Sequence, residues 1–128
     1  MTDHRTCTVG LTVILLSACS NGGGNNSPYS DINVTPTATV YEQKRSIQCG
    51  SPGLGIEQSA QTLITAGIDV IHTDCAYNNL MAVPSVCGAA TSEILVHKIP
   101  KQNLIDAEAV GFINTDDISN DYSVYDCS

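Results

Sequence analysis

The chain has 128 residues, with 13 acidic against five basic side chains and a formal net charge of −8 at pH 7. A chain this acidic is not expected to bind nucleic acid or to adsorb electrostatically to anionic lipid. Because it has five Tyr, one Phe and no Trp, it has little aromatic surface with which to build a catalytic cleft, and enzyme activity is not favoured.

The first 19 residues have the order of an export signal. Arg5 supplies one firm positive charge, an apolar run occupies residues 11–16, and the small residues Ser17 and Ala18 precede Cys19. The apolar run is much shorter than the ~20 residues that a membrane-spanning helix needs. Gly, Asn and Ser follow at once and would end a buried helix. This order predicts a segment that is removed.

The tetrapeptide Leu16-Ser17-Ala18-Cys19 resembles the lipobox of bacterial lipoproteins. The resemblance implies cleavage of a signal peptide over residues 1–18, diacylglycerylation of the Cys19 thiol and acylation of the new amino terminus. Two or more acyl chains give stable membrane attachment, whereas one gives marginal binding. Ser20 stands where Asp usually signals retention in the inner membrane, so the expected location is the outer membrane, facing the periplasm.

The chain after Cys19 divides into a tether and a small domain. Residues 19–38 are rich in Gly, Asn, Ser and Pro, and such a chain behaves as a flexible coil with a mean reach of roughly 25 Å. Residues 39–128 form the predicted domain. A domain of this size buries a modest core and commonly carries additional cross-links.

The cysteine count predicts those cross-links. Cys7 leaves with the signal peptide and Cys19 carries the lipid, so four cysteines remain for the domain: Cys49, Cys75, Cys87 and Cys127. An even number in an exported domain indicates two disulfides. Their spacing does not match the close Cys pairs of structural zinc sites.

The domain shows the order strand–helix–strand twice. The predicted strands cover residues 40–48, 69–75, 93–99, 113–115 and 122–125, and the predicted helices cover residues 56–66 and 101–110. Ile56, Ala60, Leu63 and Ile64 form the apolar stripe of the first helix, and Leu104, Ile105 and Ala107 form that of the second. Gly67-Ile68 and Gly111-Phe112 have the pattern of a helix end with a left-handed Gly and a capping apolar contact.

This order predicts an α+β fold, a ferredoxin-like βαββαβ sandwich with an antiparallel sheet and two helices on one face. If residues 122–125 return beside the fourth strand, Cys127 lies near Cys49. The favoured pairs are therefore Cys75–Cys87 and Cys49–Cys127, and the two other pairings remain open.

His72 and His97 are the histidines of the predicted domain, and Asp74 is close in sequence to the first. If the two predicted strands that carry them are neighbours, the imidazoles face each other and, with Asp74, form a weak candidate for a metal site or a pH sensor. A third metal ligand is not evident from the sequence, so ordinary strand positions are favoured for both.

Two further motifs have a simpler interpretation. Gly50, Gly53 and Gly55 precede a helix, as in phosphate-binding turns, but their spacing fits neither a P-loop nor a dinucleotide fingerprint. The acidic residues between 116 and 126 lack the spacing of an EF-hand and are expected to form a solvated loop.

The sequence predicts a lipid-anchored protein of the cell envelope whose domain works by binding, with no cofactor. The expected partners are the membrane, through the lipid, and an envelope protein or peptidoglycan, contacted through an exposed sheet edge. The alternative is a small envelope enzyme or metal-handling protein that uses His72 and His97.

Overall fold

The structure is a computed structural model that describes residues 34–128. The predicted signal peptide, Cys7, Cys19 and the tether up to residue 33 lie outside the described residues. The strands are β1 (Thr37–Gln43), β2 (His72–Asn78), β3 (Glu93–Pro100), β4 (Ile113–Asn114) and β5 (Tyr122–Tyr125); the helices are α1 (Ile56–Thr65) and α2 (Leu104–Ala109). Short 3₁₀ turns occupy Lys101–Asn103 and Thr115–Ile118.

The five strands of this part of the chain form one antiparallel sheet in the order β4-β1-β3-β2-β5. The prediction of an α+β fold with an antiparallel sheet, two helices and two disulfides is confirmed. No helix within residues 34–128 is long and apolar enough to cross a membrane.

Both helices pack on the same side of the sheet, here called the helix face. Leu63 of α1 and Ala107 of α2 belong to one buried cluster with Val40 of β1 and Ile99 of β3. The apolar stripes differ from the prediction, because Ile64 is 53% exposed and Ile105 is 77% exposed. Both side chains are exposed and lie outside the buried cluster.

Each helix ends in a glycine-based cap, as its sequence predicts. Gly67 and Gly111 have φ of +80° and +102°, a conformation that glycine adopts without steric cost. The amide of Ile68 donates to the Leu63 carbonyl at 3.0 Å, and that of Phe112 donates to the Ala107 carbonyl at 3.1 Å. These are the long bonds of the Schellman motif. Ile68 and Phe112 then enter the same buried cluster.

The opposite side of the sheet is here called the open face, because neither helix packs on it. The turn Thr115–Ile118 lies against this face. Ile118 packs against Tyr41, Ala76, Ile94 and Val96, which come from the three central strands. The chain therefore crosses under the sheet after β4 and reaches the far edge, where β5 pairs with β2.

This crossing explains why the favoured disulfide pairing is wrong. Since β5 lies beside β2 and not beside β4, Cys127 follows a strand whose Tyr125 is opposite Cys75, and the two cysteines are bonded. Cys49 bonds Cys87. It lies beyond the end of β1, in a loop that runs along residues 86–90, with the Gln48 amide donating to the Ala89 carbonyl at 2.9 Å.

Candidate functional site

The two histidines do not face each other. In the pairing of β2 with β3, Thr73 is opposite His97 and His72 is opposite Lys98. Side chains alternate between faces along a strand, so a register difference of one residue places His97 on the helix face and His72 on the open face. The predicted juxtaposition is wrong for this reason.

His97 is fully buried in a network of hydroxyl groups. Its Nε2 lies 2.7 Å from the Ser59 hydroxyl and its Nδ1 lies 2.9 Å from the Thr73 hydroxyl. Ser59 donates to the carboxylate of Glu42 at 2.5 Å, so it accepts from Nε2, and Thr73 donates to Nδ1. Burial lowers the pKa of His97 to about 4, which keeps the imidazole neutral at pH 7.

This network does not have the arrangement of a catalytic triad. In a triad the carboxylate orients the histidine, and the serine hydroxyl is exposed to the substrate. Here the carboxylate of Glu42 accepts from Ser59, and both Ser59 and His97 are 0% exposed. The network therefore joins α1 to β1, β2 and β3 and acts in packing.

His72 is exposed and makes one polar contact, with Asp74. Its Nε2 is 2.9 Å from Oδ1 of Asp74, and the side chains are 63% and 34% exposed. Within residues 34–128, no group of three or more His, Cys, Asp or Glu side chains is placed to hold a metal ion. His72, His97 and Asp74 therefore do not form the candidate metal site described from the sequence.

A charged cluster that the sequence did not indicate lies at the start of β3, around its first residue, Glu93. The carboxylate of Glu93 accepts hydrogen bonds from Ser46, Tyr125, Thr91 and Lys44, with the Lys44 Nζ at 3.2 Å. Burial alone would raise the pKa of Glu93, but the bonds from Ser46, Tyr125, Lys44 and Thr91 outweigh it and lower the pKa to about 2. Glu93 is thus a charged anchor that holds Lys44 and the last residue of β5.

The glycine-rich turn is explained by packing. It lines a cleft of about 270 Å³ together with Lys44 and the Cys75–Cys127 disulfide. A Cβ on Gly53 would clash with the Lys44 carbonyl, and Gly53 has φ of +78°. Lys44 is paired with Glu93, and Glu57 also lines the cleft. A phosphate would meet that carboxylate, so the cleft is poorly suited to an anion.

The acidic residues near the end of the chain help to hold the loops around β5. Asp116 accepts from the Asn120 amide group at 3.0 Å, and Asp121 accepts from the Asn79 amide group at 2.9 Å. Their side chains are exposed, as the sequence predicted for a solvated segment.

The β2–β3 loop and the strands β2 and β5 carry several of the exposed apolar side chains of the domain. They are Tyr77, Leu80, Met81, Val86 and Val124, with exposures from 38% to 59%. Tyr77 stacks on Tyr125, with ring centroids 4.5 Å apart.

Comparisons with protein-family models, with curated proteins and with solved structures found no match for this chain.

Proposed function

We propose that this chain is a lipid-anchored protein of a bacterial cell envelope, whose domain, from β1 onward, works by binding and not by catalysis. Cys19 carries the lipid, the residues between Cys19 and β1 form the tether, since Thr37 and Ala38 already belong to β1, and the outer membrane facing the periplasm is the expected location. The lipobox-like segment Leu16–Cys19 supports the anchor, and Ser20 supports the choice of membrane.

The observation that carries the proposal is the state of the domain's cysteines. Cys49, Cys75, Cys87 and Cys127 are all in disulfides, and disulfides persist in oxidising compartments such as the periplasm. Removal of Cys7 with the signal peptide then leaves Cys19 as the cysteine available for lipid. An exported, cross-linked domain with one such thiol at the start of a Gly-rich segment fits a tethered module.

The interior supports binding over catalysis. The buried histidine lies in a hydroxyl network, and its low pKa keeps it uncharged. Every buried side-chain polar atom of the described residues has a hydrogen-bond partner. Exposed apolar side chains include Leu80, Met81 and Val86 of the β2–β3 loop and Val124 of β5. No specific observation favours the alternative role for His72 and His97, which lie on opposite faces.

We also propose that β1 to β4 with α1 and α2 form a ferredoxin-like unit to which β5 is added. The support is the element order β-α-β-β-α-β and the antiparallel strand order β4-β1-β3-β2 within the larger sheet. An experimentally determined structure with a different order among these four strands would contradict this assignment.

The intact mass of the membrane-extracted protein tests the anchor. We expect the mass of residues 19–128 plus three acyl chains, with an increase of about 4 Da on reduction as two disulfides take up hydrogen. The matched control, Cys19→Ala, is expected to lose the acyl chains and to keep the 4 Da shift. A chain that retains residues 1–18 and carries no lipid would overturn the proposal.

A further inference from the structure

We propose that the outer edge of β5 binds an extended segment of a partner protein that carries basic residues opposite Asp121 and Asp126. This inference deepens the proposed binding function and rests on it, since it names the surface and the chemistry of the partner. Strand addition to a sheet edge is a common mode of peptide recognition.

The main-chain groups of β5 divide between its two sides. The Asn79 amide donates to the Asp121 carbonyl at 3.1 Å, one step beyond the pair Asn78–Tyr122. Bonded and non-bonded pairs alternate in an antiparallel ladder, so Ser123 and Tyr125 bond β2, while Val124 directs its main-chain amide and carbonyl outward. The Tyr122 amide donates to the Asn120 carbonyl at 3.1 Å, so Tyr122 offers only its carbonyl to the outer edge. The same alternation holds in β2: the Asn78 amide donates to the Ser92 carbonyl on the β3 side at 2.8 Å, and the next amide, of Asn79, donates towards β5.

The outer edge of β5 has no strand neighbour among residues 34–128. Sheet edges are commonly protected by Pro, Lys or a bulge, and the sequence Tyr-Ser-Val-Tyr has no Pro, Lys or Gly. Val124 is 56% exposed. The opposite edge, β4, has two residues, which is too short for an added strand.

The position of β5 is fixed from three directions. The Cys75–Cys127 disulfide holds its end, the Tyr125 hydroxyl bonds Glu93, and the Ser123 hydroxyl donates to the Asn79 side chain at 3.1 Å. A strand held in this way loses little further conformational entropy when it binds a peptide, which favours association.

The charges at the two ends of β5 select the occupant. Two copies paired antiparallel over all four residues of β5 would place Asp121 of each copy opposite Asp126 of the other. Like charges directly opposite each other on neighbouring strands are destabilising. The same carboxylates favour a strand with Lys or Arg at two positions that are five residues apart, which also complements the net charge of −8.

The test uses the full chain and the labelled peptide acetyl-Lys-Thr-Val-Thr-Val-Lys-amide, followed by fluorescence anisotropy. When it is antiparallel to β5, its lysines are opposite Asp126 and Asp121 and its valines lie on the same face as Tyr122 and Val124. We expect saturable binding, and protection of the Val124 amide from hydrogen exchange that appears only when the peptide is present.

Two pairs of variants separate the main-chain and charge contributions. Val124→Pro removes an outward amide that the ladder does not use, so it is expected to keep the fold and weaken binding at least tenfold, whereas Val124→Thr retains the amide and most of the affinity. Asp126→Asn is expected to weaken binding about two- to fivefold at low salt. Asp69→Asn removes the same charge elsewhere and should leave it unchanged.

Replacing both lysines of the peptide by Glu provides a test on the unaltered protein and is expected to abolish binding. No binding of the lysine peptide at 1 mM, or equal binding by the Val124→Pro variant, would overturn the proposal. Dimerisation in sedimentation that Val124→Pro abolishes, or a Val124 amide already protected without peptide, would also overturn it, because the edge would then be occupied by this chain. None of these outcomes affects the mass measurement that tests the lipid anchor.

Discussion

Glu93 is the residue whose charge contributes most clearly to the stability of the domain. Its folded pKa of about 2 lies below its usual 4.5, so the charged form is favoured by folding. This contribution is complete above pH 4.5 and is lost as the pH falls from 4.5 towards 2. We expect Glu93→Gln to lower the free energy of unfolding at pH 7 by about 1–3 kcal/mol, because Lys44 loses its charged partner.

Urea unfolding at pH 7 and at pH 3 checks this expectation. The difference between Glu93→Gln and the unaltered protein should shrink at pH 3, because Glu93 is protonated in the unfolded chain at this pH while the folded carboxylate stays charged. Glu108→Gln removes the same charge from an exposed position of α2 and should have little effect at either pH. An equal loss for both variants would contradict the role of the Glu93 cluster.

His97 makes stability depend on pH in a higher range than Glu93 does. Burial lowers its pKa from the usual 6.5 to about 4. Between these values the unfolded chain binds a proton that the folded chain does not, so stability falls as the pH falls through this range. We expect His97→Leu to lose about 1–3 kcal/mol at pH 7, since Ser59 and Thr73 lose a partner.

The pH profile of unfolding distinguishes this role from simple packing. His97→Leu should flatten the profile between pH 6.5 and 4, as judged from the slope of the free energy of unfolding. His72→Gln changes a histidine that is exposed on the open face and should retain the slope. A slope unchanged in His97→Leu would show that the imidazole does not titrate on unfolding.

At the scale of elements, the helix ends make the sharpest prediction. A non-glycine residue at φ near +80° is costly, so Gly67→Ala should lower the free energy of unfolding by about 1–2 kcal/mol. Asn tolerates the left-handed region better than Ala, and Gly67→Asn should recover part of the loss. Thermal unfolding followed by circular dichroism measures both, and equal stability of the two variants would argue against the cap.

The same helix ends show what a sequence can predict. Gly67-Ile68 and Gly111-Phe112 specify their caps locally, because the bonding groups are within five residues of each other. The Glu93 cluster could not be predicted in this way, because its residues are far apart in the sequence. Lys44 and Glu93 are 49 residues apart, and no local pattern connects them. The relative placement of His72 and His97 depends on the register between β2 and β3. A register error of one residue moves a side chain to the other face of the sheet.

At the scale of the whole molecule, the position of β5 beside β2 determines both the exposed sheet edge and the pairing of the disulfides. The order of strands and helices was readable from apolar periodicity and from Gly and Pro. Before β5 joins the sheet beside β2, the chain packs Ile118 under three strands, and this contact has no distinctive signal in the sequence. Once β5 lies beside β2, the bond between Cys75 and Cys127 follows.

The two disulfides are therefore expected to stabilise the domain to a similar degree but to order different parts of it. They close loops of 38 and 52 residues, for which loop entropy gives about 4 kcal/mol each. Cys75→Ala with Cys127→Ala should lose this amount and also release β5. Cys49→Ala with Cys87→Ala should lose a similar amount and leave β5 in place.

Tyrosine signals distinguish the two double variants, because the chain has no Trp. Release of β5 would separate Tyr125 from Tyr77, whose rings are stacked, so the near-ultraviolet circular dichroism of tyrosine should fall in the first double variant alone. That variant should also lose binding to the lysine peptide, since the edge that binds it is no longer ordered. Retained binding in the first double variant, or a lost tyrosine signal in the second, would contradict the assignment of the Cys75–Cys127 bond as the one that orders β5.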